Sequence, residues 1–446
     1  MALIFFIFLI LHREKNLLCT MEFKNDLAFA LNCDQADVLN TFREQFHIPM
    51  HNGKPVIYLT GNSLGLQPKK ASQYINQELQ DWASLGVEGH FKPNTGWFSY
   101  HELVRQSTAN IVGALQEEVV VMNHLTVNLH LLMVSFYRPD ANRYKIICEA
   151  SAFPSDRYAL QSQVKYHGFD PANALIELYP RKGEYILRHE DIIKAINDCG
   201  DSLAMVMMGG LNYYTGQVFD LQSITTAAHV VGAYAGFDLA HATGNIKLAL
   251  HEWDIDFACW CSYKYLNAGP GGVAGIYIHK KHVENKLLPR FAGWWGNDPK
   301  TRFVMQHDFD PVQSADAWQL SNAPILNMAA LRASMDLFEE AGMEALTAKS
   351  RKLTSFMYYV INEVLKQNGD ASLIKIITPY EEQQQGCQLS LIVNNGKRIF
   401  DHLAEEGVLA DWREPDVIRI APVPFYNSFE DVYLFGQYLK MALKNS

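Results

Sequence analysis

Lys264 stands where an apolar run, Ile255-Asp256-Phe257-Ala258-Cys259-Trp260, gives way to Cys261-Ser262-Tyr263-Lys264-Tyr265-Leu266-Asn267 and then to the glycine-rich turn Ala268-Gly269-Pro270-Gly271-Gly272. A lysine at the mouth of a sheet is partly desolvated, which lowers its amine pKa and makes it a nucleophile toward aldehydes. Upstream, the apolar stretch Ala233-Tyr234-Ala235-Gly236-Phe237 ends on Asp238, followed by Leu239-Ala240-His241. A carboxylate after one strand and a lysine after the next are the two groups that pyridoxal phosphate (PLP) needs. The lysine forms the Schiff base, and the carboxylate keeps the pyridine nitrogen protonated.

Other residues fit around that pair. Asn123-His124-Leu125-Thr126 follows a short apolar run and precedes an apolar helical stretch, Leu129 to Tyr137. Helix N-terminal N–H groups with the Thr126 hydroxyl would hold a phosphate; Thr126 or Asn123 reads equally as a plain helix cap. Phe153-Pro154-Ser155-Asp156 reads as a turn fixed by Pro154, with Phe153 either stacking on a flat cofactor or packing in the core. His241 could hydrogen-bond a phosphate or be a structural histidine, and Tyr263 could relay a proton or be a core aromatic. Arg419, alone in Val417-Ile418-Arg419-Ile420, is either a bidentate clamp on a substrate carboxylate or half of a buried ion pair. No G-x-G-x-x-G or G-x-x-x-x-G-K-[ST] pattern stands in the right context for a dinucleotide or nucleoside triphosphate.

The elements that must position these groups are legible as alternating strand and helix patterns between about residues 60 and 310, which predicts an α/β fold with a mostly parallel sheet. Strands are expected at Val119 to Met122, Tyr144 to Cys148, Leu203 to Met208, Ala233 to Asp238 and Phe257 to Ser262, with helices at Leu221 to Val230 and around Ile192 to Ile196. From Pro324 the pattern turns helical (Asn327 to Phe338, Ala345 to Leu365). Strands at Gln388 to Val393 and Val417 to Ile420 and a helix from Phe429 to Leu443 then predict a smaller α+β C-terminal domain. The expected division is a 21–59 helical segment joining the small domain, a 60–323 large cofactor-binding domain and a 324–446 small domain.

The chain has 446 residues, 48% hydrophobic and 19% charged, enough for a large buried core. Its net charge of −10 is spread without a basic stripe, so nucleic acid is not an expected partner. Seven scattered cysteines without CxxC pairs point to reduced thiols and a cytoplasmic protein, and Cys259 and Cys261 read as packing rather than metal ligands; no metal is expected. Ala2 to Leu11 is wholly apolar but too short to span a bilayer, and no membrane association is expected. Residues 1–20 read as an extension ahead of a working start at Met21, which is expected to open an amphipathic helix carrying Phe23, Leu27, Ala28, Ala30 and Leu31.

Taken together, Gly61-Asn62-Ser63-Leu64-Gly65, Phe153-Pro154-Ser155-Asp156, Tyr214-Thr215-Gly216-Gln217, Gly236-Phe237-Asp238-Leu239-Ala240-His241-Ala242, Trp260 to Asn267 and Arg419-Ile420-Ala421-Pro422 resemble kynureninase, a PLP-dependent enzyme of fold type I. The resemblance runs from about Tyr58 to the C-terminus. It implies hydrolytic Cβ–Cγ cleavage of L-kynurenine to anthranilate and L-alanine, and of 3-hydroxy-L-kynurenine to 3-hydroxyanthranilate and L-alanine, in tryptophan breakdown or NAD synthesis. It implies that Lys264 holds PLP and takes the α-proton, that Asp238 pairs with the pyridine nitrogen, and that Leu125 and Thr126 bind the phosphate. Phe153 would stack on the ring, Pro154, Ser155 and Asp156 would lie beside it, and His241 and Tyr263 would complete the cofactor shell, with Tyr263 as proton relay. Arg419 would hold the substrate α-carboxylate. Trp294 and Asn322 would reach the site from the other subunit of a homodimer. Some family members have a cofactor-contacting hydroxyl where this chain has Gly209.

His90, Ser321 and Asn322 are polar groups of the kind found in members that prefer the 3-hydroxy substrate, which predicts that preference here; His90 reads equally as shaping an entrance loop. Two rival readings have their own signatures. A cysteine desulfurase relative would need a mobile catalytic cysteine, for which Cys387 is the candidate in the C-terminal domain. A non-catalytic paralogue would have little reason to keep Lys264, Asp238 and Arg419, since buried charges without a role cost stability.

Overall fold

The computed structural model describes residues 22–92, 94–150, 152–305 and 307–444; the expected start at Met21 lies outside them. In chain order the elements used below are α1 (Leu27–Ala36), α2 (Lys70–Leu85), β1 (Val119–Val121), α3 (Leu125–Phe136), β2 (Lys145–Glu149), α4 (Pro154–Tyr166), β3 (Leu175–Leu178), α5 (His189–Cys199), β4 (Leu203–Gly209), α6 (Leu221–Val230), β5 (Tyr234–Asp238), β6 (Phe257–Trp260) and β7 (Gly275–Ile278). The C-terminal part adds α7 (Ile325–Ala341), α8 (Met343–Asn368), β8 (Ile374–Ile376), β9 (Leu389–Val393), α9 (Gly396–Glu405), β10 (Asp411–Arg413), β11 (Val417–Ile420) and α10 (Phe429–Lys444).

Seven strands form one sheet in the order β3-β2-β4-β5-β6-β7-β1, with β7 alone antiparallel to its neighbours. The expected mostly parallel α/β sheet is therefore present. Leu203 to Met208 of β4 is apolar and buried throughout, as a strand covered on both faces must be. Helices dock on the sheet through large side chains. Phe136 of α3 stacks on Phe257 of β6 at 4.5 Å, and burying such a ring stabilises by about 2 kcal/mol. That contact fixes where the other end of α3 points.

A second sheet, β8-β9-β11-β10, is antiparallel. The segment ahead of the large sheet joins it: Ile57–Tyr58 pairs with Val408–Leu409, and α1 packs on α10. The N-terminal helix differs from its expected form. It starts at Leu27 with Asp26 as N-cap, and it buries Ala30 and Cys33 while Leu27 and Leu31 face solvent. Phe23, upstream of it, packs on Phe29, Phe356 and Tyr359. Among the described residues no helix is long and apolar enough to cross a membrane.

Two buried acids brace the large sheet where β1 and β6 begin. Glu118 accepts hydrogen bonds from the Leu115 and Lys280 N–H groups and pairs with His251, so although His279 also lies close, its oxygens are already engaged. Asp256, just before β6, pairs with His229 at 2.9 Å and His282 at 2.7 Å, lies 3.2 Å from Lys281, and accepts from the Ala235 N–H. Burial pushes its carboxyl up, but those partners outweigh burial and hold it below the usual carboxylate range. Asp256→Asn is expected to destabilise the fold by roughly 3–5 kcal/mol, the range for breaking a buried pair from one side. Because the folded carboxyl titrates below its unfolded value, its contribution is complete above about pH 4 and is lost as the pH falls through the folded pKa. Denaturant melts of both proteins across pH 2–7 check this; a gap between them that does not narrow in acid would contradict it.

Candidate active site

The carboxyl ends of β1, β2, β4, β5 and β6 open on one side of the large sheet, where ligands bind in folds of this kind. A cavity of about 260 Å³ lies there, walled by residues that follow each of these strands. Lys264, Asp238, His241, Tyr263, Phe153, Ser155, Asp156, Leu125 and Thr126 all line it.

Lys264 sits in the turn after β6, with its Nζ 3.0 Å from His241 Nε2. The turn is held from outside by the Gly61 to Gly65 stretch: the Gly65 N–H donates to the Tyr263 carbonyl at 2.8 Å, and a Cβ on Gly65 would fall 2.3 Å from the Lys264 carbonyl oxygen. Only glycine allows that approach. Burial, then the charges of Lys264 and Arg419, pushes the His241 imidazole well below its ordinary pKa, so it is neutral and accepts from Lys264. Its other nitrogen, Nδ1, is buried with no partner among the described residues. Burial and the contact with Cys261 push the Tyr263 phenol upward, so it keeps its proton.

Opposite Lys264, three buried carboxyl groups crowd together. Asp238 ends β5 and accepts from the Ala240 N–H at 2.7 Å. Burial, the Asp238 charge and a hydrogen bond with it push the Asp156 carboxyl well above the carboxylate range. Glu149, at the end of β2, is also pushed up by burial and by Asp238, against hydrogen bonds from Asn212 and Gly209. A pyridinium would give this cluster the cation that its surroundings withhold.

Phe153 is the residue before α4, with its ring edge-on to Tyr213 at 5.2 Å and 5.9 Å from Lys264 Nζ. The Phe153 to Asp156 stretch is therefore a helix start rather than the expected turn. Pro154 takes the first helical position, where its fixed φ fits and its missing N–H costs nothing. At α3 the capping alternative fails: the cap position is His124, which makes no side-chain cap, and Asn123 Nδ2 donates to Asn128 instead. The first N–H groups of α3 are free of side-chain caps and face the cavity with Leu125 and Thr126. A flat, anionic pyridine cofactor fits this donor set: an amine, an acid cluster, an aromatic wall, a helix N-terminus and an unpartnered buried imidazole nitrogen.

The remaining expected residues stand apart from the cavity wall. Arg419 on β11 is fully buried behind Tyr213, donates to the Tyr213 carbonyl at 2.5 Å and pairs with Asp411 on the neighbouring strand. Of its two expected roles, the ion pair is the one present. Its Nε has no partner among the described residues, and Asp411 keeps Arg413 as a second partner at 3.1 Å. His90 packs edge-on against Trp97, Ser321 and Asn322 are exposed just before α7, and Trp294 is exposed and donates to the Arg302 carbonyl. None of these four touches this chain's cavity.

The cavity also holds residues that sequence reasoning passed over: Glu149, Asn212 and Tyr213. Gly209 lines it too, and a Cβ there would sit 3.0 Å from Glu149 Oε1, so the acid occupies the room a larger residue would need. Cys387, the candidate for desulfurase chemistry, is fully buried beside β9, and burial pushes its thiol to about 12. It cannot serve as a mobile thiolate.

A family model described as the kynureninase C-terminal domain matches residues 346–439. The chain is 52% identical over 424 residues to a kynureninase from Christiangramia forsetii, covering 95% of this chain and 99% of that one. Among solved structures, the apo cysteine desulfurase of Thermococcus onnurineus NA1 superposes with TM-score 0.71 at 17% identity, over 88% of this chain and 95% of that one. A C-DES variant with glycine covalently linked to its PLP cofactor superposes with TM-score 0.71 at 17% identity, over 86% and 96%. At that identity the two structures speak for the shared fold, type I of the PLP-dependent enzymes.

Proposed function

The chain belongs to the kynureninase family, and from that premise we propose that the residues around Lys264 carry out the family's hydrolysis in the cavity described above. The protein is a PLP-dependent hydrolase of carbon–carbon bonds that cleaves L-kynurenine to anthranilate and L-alanine, and 3-hydroxy-L-kynurenine to 3-hydroxyanthranilate and L-alanine, a step of tryptophan catabolism. The observation that carries the residue assignment is the convergence of Lys264 Nζ, the Asp238 and Asp156 pair and the uncapped start of α3 on one cavity.

PLP, when bound, supplies an electron sink for the carbanion formed at the substrate α-carbon. Lys264 would hold the cofactor through Nζ, and the same amine, when free, would move the proton at the substrate α-carbon. Neutral His241 accepts a hydrogen bond from Nζ and keeps the amine aimed into the cavity. Asp238 would face the pyridine nitrogen, beside Asp156, whose carboxyl burial and the Asp238 charge push well above the carboxylate range. Tyr263 keeps its phenolic proton over the working range and can donate it as the Cβ–Cγ bond breaks. Leu125 and Thr126 would bind the phosphate at the start of α3, and Phe153 with Pro154 and Ser155 would border the ring. Arg419 turns its guanidinium from Asp411 to the substrate carboxylate; Asp411 is left with Arg413.

We place Trp294, Asn322, His90 and Ser321 at the cavity of a second copy of the chain. Phe91, Phe98, Phe303 and Trp294 form a continuous run of rings at 6.4, 5.4 and 5.4 Å, of which Phe91, Phe303 and Trp294 are exposed, and this supports a homodimer covering that surface. The division near residue 324 is supported by the separate four-stranded sheet and by the N-terminal segment packing with it. Buried free cysteines at 33, 148, 259, 261 and 387 support a reducing, cytoplasmic setting.

The test is turnover of each substrate by the PLP-loaded protein, followed as loss of substrate absorbance with alanine formation. The polar groups at His90, Ser321 and Asn322 give a higher kcat/KM for 3-hydroxykynurenine; an equal or higher value for kynurenine would remove them from ring recognition.

A further inference from the structure

Glu149 makes no hydrogen bond to Lys264; its carboxylate is tied instead to the turn that carries Tyr213. Its Oε1 accepts from the Gly209 N–H at 2.7 Å and its Oε2 from Asn212 Nδ2 at 2.5 Å. With its amide so oriented, Asn212 Oδ1 accepts from the Tyr214 N–H, the Thr215 N–H and the Thr215 hydroxyl, at 3.0, 2.9 and 3.1 Å. The Asn212 to Gln217 turn is thereby locked from the side of the large sheet. From the other side the C-terminal sheet grips the same turn: Arg419 Nη1 and Gln388 Nε2 donate to the Tyr213 carbonyl, Ser390 Oγ to the Tyr214 carbonyl, and Thr378 Oγ1 to the Thr215 carbonyl. The Tyr213 ring meets both Phe153 and His241. We propose that Glu149, acting through Asn212, is a positioning residue that sets Tyr213 and hence the guanidinium of Arg419 for the substrate α-carboxylate. This rests on the reading of Arg419 as the carboxylate clamp.

The hydrogen-bond pattern dictates the test. Glu149 faces two donors, so both of its oxygens must accept. In Glu149→Gln one oxygen still meets the Gly209 N–H, and the new NH₂ then faces the Asn212 NH₂. Flipping Asn212 only moves the clash to the Tyr214 and Thr215 N–H groups. No orientation satisfies every group, and one buried mismatch costs about 10- to 100-fold in the affinity it supports. Adding Asn212→Asp removes the conflict. The amide introduced at position 149 donates to the carboxylate introduced at position 212, which still accepts from Tyr214 and Thr215. The charge has merely moved from one side chain of the pair to the other.

The variants Glu149→Gln, Asn212→Asp, the double variant and Arg419→Lys are loaded with PLP. L-Alanine affinity is read from the cofactor absorbance, KM and kcat from turnover, and folding from thermal melts. The expected result is a KM and an L-alanine Kd raised about 10- to 100-fold in Glu149→Gln, and recovery of both in the double variant, which keeps the pair's single negative charge. Should Glu149→Gln fail to fold, Asn212→Asp against the double variant reads the same rescue. Unchanged L-alanine affinity in Glu149→Gln, or a double variant no better than the single ones, overturns the role of Glu149 while Arg419→Lys still weakens binding. Unchanged affinity in Arg419→Lys overturns the clamp itself and this proposal with it.

Discussion

Lys264→Ala is expected to lower kcat/KM by about 10⁴-fold, the upper end of what a single positioned proton-transfer group supplies, because the variant loses both the covalent tether and the base. The fold should survive. Lys264 is half-buried at the cavity edge and makes one side-chain hydrogen bond, to His241. Borohydride reduction should fix PLP to the wild-type chain and not to the variant, which separates loss of the tether from loss of cofactor binding. Activity within tenfold of wild type would remove Lys264 from the reaction altogether. The same variant tests the shared site. If the proposed homodimer places Trp294 at the neighbouring cavity, Trp294→Ala is impaired as well. Mixing the two variants under exchange should restore about a quarter of the wild-type sites, since half the dimers are mixed and each of those keeps one intact cavity. No gain on mixing would place Trp294 in its own protomer's chemistry or in none.

Much of the frame is legible in the sequence because its strands are buried on both faces and read as apolar runs that end on polar residues. Leu221–Val230 and Val417–Ile420 fall where the pattern puts them, and β4, β5 and β6 differ from it by one or two residues at an end. The elements that escape notice lack that contrast. β3 is a half-buried edge strand, Leu-Ile-Glu-Leu, with weak alternation. β7 follows a glycine-rich turn that reads as loop, and β10 is the polar edge strand Asp-Trp-Arg. In the site, Lys264 and Asp238 stand out as charges that close apolar runs. Glu149 closes one too, after Ile146-Ile147-Cys148, and that is the signal by which it could have been found. Its partners Gly209 and Asn212 lie 60 and 63 residues away, so only the fold distinguishes it from a solvated strand end. Arg419 shows the same limit. Asp411 is only eight residues earlier, but the two face each other through the register of β10 and β11, which no spacing rule reveals.

Asp238→Asn should separate stability from function, and the two effects should run in opposite directions. Without cofactor, Asp238, Asp156 and Glu149 are buried together, and the like charge of Asp238 acts on both of the others. Removing that charge relieves the repulsion while leaving the acceptor for the Ala240 N–H in place. The apo variant should therefore melt above the apo wild type, as expected where a site keeps charge at the expense of the fold. Asp156, freed from its neighbour's charge, should also titrate closer to the ordinary carboxylate range. With PLP the order reverses. The neutral amide cannot hold the pyridine nitrogen protonated, so PLP should bind more weakly, and kcat should fall roughly 10²- to 10³-fold, the scale for losing one preorganised electrostatic contact in a dry site. Calorimetry of apo and PLP-loaded forms, with kcat on kynurenine, reads all three quantities. An apo variant that melts lower than wild type would mean that Asp238 is held as a structural anion by partners inside the fold. A kcat close to wild type would mean that Asp156, relieved of its proton, takes over the pyridine nitrogen.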